Sequence, residues 1–356
     1  MKIFAVALAL FLSLQGMAQR RDRTDPPLLP TITEGVVYAL PKTGIRVVVT
    51  AKQTTFAPGP YAPYADQLLG IRNVKMQPEI RWEIQSVKLE TYAQPDPAHT
   101  YLLSGAAAGA LHLTSDGILA GVYTGVGETF AASNRSVSLA VENLFDHLTF
   151  HTLIDNPAVS GRTSPDQRAM QAANRILRSR NVRFDIAAGL LDEFHPDGDA
   201  YRSSLQELHH IENELLTLFT GKSESREYTY CFDYLPHAAT EGEVVFRFDD
   251  SRGFLPKSDL SGKPVMISVA PDQGLQSKLQ ELNSTGNNMP GTTALFYRQP
   301  GRAEVEVMVG LEPIASGSLV VAQFGAVAPL PAILLNGSFS IGIHPLTGAL
   351  QSVMPR

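Results

Sequence analysis

A chain of 356 residues with 35 acidic and 29 basic side chains carries a formal charge of −6 and has one cysteine, Cys231. That mildly acidic balance excludes nucleic acid as a partner, because phosphate recognition needs a basic face. A single thiol excludes an internal disulfide, so the fold must be held by buried apolar cores, which a chain of this length can supply.

At the N-terminus, Lys2 precedes an apolar run from Ile3 to Leu14, followed by Gly16-Met17-Ala18, the small-x-small pattern of a signal peptidase site. Residues 1–18 read as a signal peptide cleaved before Gln19, which makes the mature protein exported, to the periplasm, the cell surface or the medium. The apolar run is shorter than the roughly 20 residues that cross a bilayer, so no transmembrane span is expected after cleavage. Residues 19–34, with Pro26, Pro27 and Pro30, read as a flexible leader.

Residues 35–160 read as an N-terminal β region. Gly35 to Leu40 and Ile45 to Ala51 are β-branched runs around Pro41-Lys42-Thr43-Gly44, which predicts two strands joined by a turn. Ile80, Trp82 and Ile84 alternate, and Val87 and Leu89 continue on the opposite parity, so a bulge is expected near Gln85-Ser86. Leu111-His112-Leu113 and Ile118-Leu119-Ala120 flank Ser115-Asp116-Gly117, and Asp-Gly is a strong hairpin signal. Strand follows strand with no room for crossover helices, so the pairing should be mainly antiparallel.

Between these strands, Pro58, Pro60 and Pro63 stiffen a loop that ends in one helical turn from Tyr64 to Leu69, with Gly70 as its stop. Tyr61 and Tyr64 are the candidate binding residues, since two aromatic rings on a rigid loop form a platform for a glycan or peptide. The competing reading is that they plug one end of the sheet.

Residues 161–222 read as an antiparallel helical hairpin. Ser164-Pro165-Asp166-Gln167 combines a cap, a proline at the first helical position and a capping box. Ala169, Met170, Ala173, Ile176, Leu177 and Phe184 then recur at helical spacing up to about Ala188, with Gly189 as the stop. His195-Pro196-Asp197-Gly198 is the turn, and a second helix from Ala200 to Thr220 carries Tyr201, Leu205, Leu208, Ile211, Leu215, Leu218 and Phe219 on one stripe. The first helix is rich in arginine and the second in acids, which favours one register. Stripes this apolar predict that the hairpin packs on at least one β region.

Residues 223–356 read as a C-terminal sandwich-like region or partial barrel. Eight strands are expected, at Glu227–Leu235, Glu243–Asp249, Pro264–Ala270, Thr293–Arg298, Ala303–Gly310, Gly317–Ala322, Ser338–Ile343 and Ala349–Val353. Thr347-Gly348-Ala349-Leu350 closes the last hairpin. The fold class is therefore α+β, with two mainly antiparallel β regions and an antiparallel helical hairpin between them.

Several stretches together resemble one family. Tyr38-Ala39-Leu40-Pro41-Lys42-Thr43, Pro58-Gly59-Pro60-Tyr61 and Tyr64-Ala65-Asp66-Gln67-Leu68-Leu69-Gly70 are similar to the opening of the domain of unknown function 4831 family, exported proteins of Gram-negative bacteria. Pro196-Asp197-Gly198 and Leu218-Phe219-Thr220-Gly221 resemble its helical middle. Tyr297-Arg298, Gln323-Phe324-Gly325, Leu330-Pro331 and Thr347-Gly348-Ala349-Leu350 resemble its C-terminal third. The resemblance spans nearly the whole mature chain and implies no activity, cofactor or catalytic residue.

The residues themselves carry no catalytic motif. His209-His210-Ile211-Glu212 lacks the His-Glu-x-x-His spacing and a nameable third ligand, so no metal or other cofactor is expected. Gly221-Lys222-Ser223 lacks the earlier glycine and the preceding strand of a phosphate loop. Asp192-Glu193 and Asp249-Asp250 read as solvated turn acids, and Cys231, between Tyr230 and Phe232, as a buried structural thiol. Two functions follow: a non-enzymatic envelope or surface protein that has a structural role or binds a protein or glycan, or a hydrolase of an envelope or extracellular polymer whose acids the sequence does not single out.

Overall fold

A computed structural model describes residues 35–124, 150, 164–190, 198–274, 277–278, 281 and 294–356. The signal segment, the leader, Asp192-Glu193 and the turn residues 195–197 lie outside the described residues.

The frame of the molecule is a pair of long strands, β1 (Val36–Ala57) and β2 (Glu79–Leu103). Pro41-Lys42-Thr43-Gly44 is not a turn, as its composition suggested, but the middle of β1. Proline is tolerated there because the ladder is already broken: Ala39 faces Thr100 and Pro41 faces Pro95, so residues 96–99 of β2 bulge out opposite Leu40. Gly44 has its own reason to be in a strand, since a Cβ at that position would overlap the Tyr92 ring that lies across it. The second irregularity falls where the parity change placed it, between Thr50–Ser86 and Ala51–Ile84, leaving Gln85 as the extra residue.

On its other side β1 pairs with β5 (Lys222–Tyr234), giving a first sheet in the order β2-β1-β5. A second sheet contains β6 (Thr240–Asp249), β7 (Gly253–Leu255), β8 (Lys263–Pro271), β9 (Phe296–Val309) and β10 (Glu312–Pro329), ordered β10-β9-β8-β6-β7. A third is built from β3 (Leu111–Leu113), β4 (Leu119–Val122), β11 (Phe339–Ile343) and β12 (Leu350–Pro355), ordered β12-β11-β4-β3. Every ladder between these strands is antiparallel. The expected strands at Thr293–Arg298 and Ala303–Gly310 are one continuous β9, and β7 is too short to leave a periodic signal. The first and third sheets each combine strands from before and after the helices, so the two β regions that are separate along the chain share sheets in space.

The inner face of the first sheet (Ile45, Val47, Val49) closes on the second (Phe246, Val265, Ile267, Val305, Val307) to form the main core. Phe254 of β7 sits among its aromatics, with its ring centroid 4.0 Å from Tyr230. Phe232 stacks on Phe246 at the same separation. A second core joins Tyr38, Leu40 and Leu103 to Leu119, Val122, Ile341 and Ile343 of the third sheet.

Helix α1 (Ala65–Leu69) ends at Gly70 in the left-handed conformation, as expected. Helix α2 (Pro165–Ala188) starts with the complete Ser164–Gln167 capping box and stops at left-handed Gly189, and α3 (Gly198–Thr220) returns beside it. The buried face of α2 differs from the expected stripe. Ala169, Ala172, Ala173, Ile176 and Ser179 are buried, whereas Met170 is 53 % and Phe184 66 % exposed and Leu177 is also exposed. A seam of small residues accepts Leu215, Leu218 and Phe219 of α3. The charge pairing is as expected: Arg180 and Arg183 each reach the buried Glu212 at 2.7 Å. The hairpin packs on the N-terminal region, as its apolar stripes suggested, through Tyr61, Tyr64, Leu68, Leu69, Ile71 and Val74 of the segment between β1 and β2. The reason is topological: Ala57 pairs with Lys222, so the loop leaving β1 meets the last turn of α3 as it enters β5.

Candidate functional site

Tyr61 and Tyr64 are both half-buried in the helical core and fasten the loop to the hairpin. The Tyr61 N–H donates to the Leu218 carbonyl at 2.8 Å, and its ring lies 5.7 Å from Phe219. The Tyr64 hydroxyl donates to the Asp166 carboxylate in the first turn of α2, and that bond raises the hydroxyl's pKa above its ordinary value. They plug the base of the helices, not an end of a sheet.

The most concentrated electrostatics lie in the bulge of β2. Asp96 is 1 % exposed and Arg298 2 % exposed, and the two are hydrogen-bonded. Asp96 also accepts from Lys42 at 3.0 Å and from the Ala98 N–H at 3.0 Å, and its Oδ2 lies 2.7 Å from His99 Nδ1. Burial pushes the Asp96 carboxyl up, but the bonds from Lys42, His99 and the Ala98 amide outweigh it and hold the group below the usual carboxylate range. A carboxylate this well satisfied stays ionised at neutral pH and is a poor proton shuttle. Its role is to pin β2 to β9, and the Arg298 N–H carries the connection on to the Gly348 carbonyl at 3.0 Å. Beside it, the buried Tyr38 hydroxyl accepts the Phe296 N–H at 2.8 Å.

An open groove of about 350 Å³ runs along the β2 edge at the Gln85 bulge, facing the end of the second sheet. Ile84 and Ile314 give it apolar walls, and Glu83, Asp250, Lys263 and Glu312 line its rim. The Trp82 N–H points away from β1, donating to the Asp250 carbonyl at 2.7 Å. Backbone groups alternate in direction along an antiparallel strand, so the N–H and C=O of Ile84 turn into the same groove. No described backbone group pairs with them there. The parity change marked Gln85; the residues facing it come from distant strands and had no sequence signal.

The remaining candidates are occupied by local structure. Glu212 is held by two arginines, and His209 Nδ1 lies 2.7 Å from Arg183. Among the described residues no group of three or more His, Cys, Asp or Glu is placed to hold a metal. Lys222 pairs with Glu214 at 3.0 Å. Asp249 accepts the Ser251 and Arg252 amides as a turn former, and Asp250 pairs with Lys263 at 3.4 Å. Cys231 lies opposite Val48 in β5 and is half-buried, less enclosed than expected. No described helix is long and apolar enough to cross a membrane.

The family model for the domain of unknown function (DUF4831) matches residues 34–351. The chain belongs to this family. Comparisons with curated proteins and with solved structures returned no match. The stretches that carry the DUF4831 resemblance, scattered along the chain, meet at two joints. Lys42, Thr43, Arg298, Gln323 and Gly348 converge around the β2 bulge. Tyr61 and Leu218 converge at the base of the helices. Both joints tie distant parts of the chain together, which is architecture rather than chemistry.

Proposed function

We propose that the protein is exported to the cell envelope or surface and acts there by binding an extended polypeptide along the β2 groove, without catalysis. Export is supported by Lys2, the apolar run to Leu14 and the Gly16-Met17-Ala18 cleavage pattern. The observation that carries the binding reading is the outward backbone of Ile84 between apolar walls, which suits a partner strand that adds main-chain hydrogen bonds to a sheet edge. A glycan has no backbone ladder to offer, so of the two partner classes the polypeptide fits better.

A photoreactive residue at Gln85 in intact cells tests this. The expected result is a reproducible protein adduct, from a mature chain beginning at Gln19 in the envelope or exported fraction. Recovery of a glycan adduct, or of no adduct above that from a probe at the buried Val47, would overturn the reading. The alternative, hydrolysis of an envelope polymer, draws on Glu83, Asp250 and Glu312 in the same groove. Polymer turnover abolished by Glu83→Gln or Glu312→Gln would establish it instead.

A further inference from the structure

Helix α2 carries more large apolar side chains than its buried seam uses. Met170, Leu177 and Phe184 are 53 %, 43 % and 66 % exposed and stand seven residues apart, outside the face that packs on α3. Asn174, Asn181 and Ala188 are exposed as well and fall between and beyond them, so the steps along the stripe run four, three, four, three, four. That is a heptad seam, with Met170, Leu177 and Phe184 at d and Asn174, Asn181 and Ala188 at a. At about 100° per residue, its centre lies about 120° round the helix from the buried alanines, so α3 and another helix can flank α2 together. The seam is roughly 27 Å long, or about five turns.

We propose that this seam pairs with the same seam of a second copy of the chain, as a parallel two-stranded coiled coil. The asparagines decide the occupant. In parallel helices in register, an asparagine at an a position meets its own twin, and each side-chain amide offers the other both a donor and an acceptor. Against a lipid surface or a wholly apolar groove, the same amides would lose their water without a partner. Charge agrees with this arrangement. Arg180 at g lies beside Asp185 at e of the other copy, twice per dimer. The Nε of Arg180 is bonded to Glu212, which leaves its terminal nitrogens for that pair. Antiparallel helices would instead set Arg178, also at e, against Arg178 of the other copy. Polar a positions weaken a coiled coil, so the dimer is a reversible one. This surface lies on the helices and does not rest on the groove reading.

Sedimentation velocity of the mature protein, from about 2 to about 200 μM, measures the association. Wild type should pass from monomer to dimer across that range. Leu177→Glu should weaken dimerisation about tenfold or more, while the dilute protein melts as wild type does. Met170→Glu gives a second reading should that variant fail to fold. Orientation is read from disulfide formation in a Cys231→Ser background. Met170→Cys and Phe184→Cys should each crosslink to their own copy, because parallel strands in register bring identical d positions together. A protein that stays monomeric at every concentration, or a dimer as tight in both glutamate variants as in wild type, overturns the seam as an interface. A Leu177-dependent dimer in which Met170→Cys crosslinks only when mixed with Phe184→Cys would overturn the parallel register.

Discussion

Gln323 pairs with Thr43 as a strand would. Its side-chain carbonyl accepts the Thr43 N–H at 2.9 Å, and its amide donates to the Thr43 carbonyl at 2.9 Å. The same amide donates to the Pro236 carbonyl at 2.8 Å, and the Thr43 hydroxyl closes the joint by accepting the Ala322 N–H and donating to the Leu346 carbonyl, both at 3.0 Å. β5 pairs with β1 only from Ile45 onward, so one glutamine supplies the ladder rung that β5 does not reach.

Gln323→Ala should therefore destabilise the fold by about 2–4 kcal/mol, since it leaves the Thr43 N–H and C=O unpaired at a buried position. Gln323→Glu should cost at least as much, because its carboxylate would face the Thr43 and Pro236 carbonyls. Urea unfolding of the two variants beside wild type checks this, and a loss below about 0.5 kcal/mol would show that β1 does not need the rung.

The neighbouring Gly325 makes the joint possible. A Cβ there would overlap the Gln299 backbone, which has no freedom to move within β9. Gly325→Ala is expected to cost about 1–3 kcal/mol through backbone displacement, and the same urea titration measures it.

Asp96 should give stability a distinct acid dependence. Its folded-state pKa lies below the ordinary value, so its contribution is complete above the unfolded pKa of about 3.9 and is lost as pH falls through that value toward the folded one. Wild type should lose stability faster than Asp96→Asn between roughly pH 5 and pH 3. At neutral pH, Asp96→Ala strands the buried Arg298 and is expected to cost about 3–5 kcal/mol. Chemical denaturation at several pH values separates the two effects, and parallel acid limbs for wild type and Asp96→Asn would contradict the first.

The two faces of α2 should respond oppositely to substitution. Ala173→Leu overfills the seam against α3 and should cost about 1–3 kcal/mol, whereas Met170→Glu, on an exposed face, should stay within about 0.5 kcal/mol. Ser164→Ala removes the cap and should cost about 1 kcal/mol. Thermal melts of the three variants test the assignment of the buried face directly, and equal effects of Ala173→Leu and Met170→Glu would refute it.

Signals confined to a few neighbouring residues were legible in the sequence. The parity change from Ile84 to Val87 located the Gln85 bulge, Ser164 to Gln167 started α2, Gly189 stopped it, and Asp116-Gly117 and Thr347-Gly348 marked their hairpins. Each depends on backbone geometry or side-chain direction within a turn or two, so local chemistry suffices. What the tertiary structure alone decided depends on partners far along the chain. Pro41 to Gly44 looks like a turn until Gln323 arrives to continue the ladder. The exposed Met170 and Phe184 look buried until the alanine seam meets Leu215 and Phe219. Asp96 carries no sequence signal of its role until β9 places Arg298 against it. Burial and long-range pairing are properties of the assembled sheets, and no window of adjacent residues contains them.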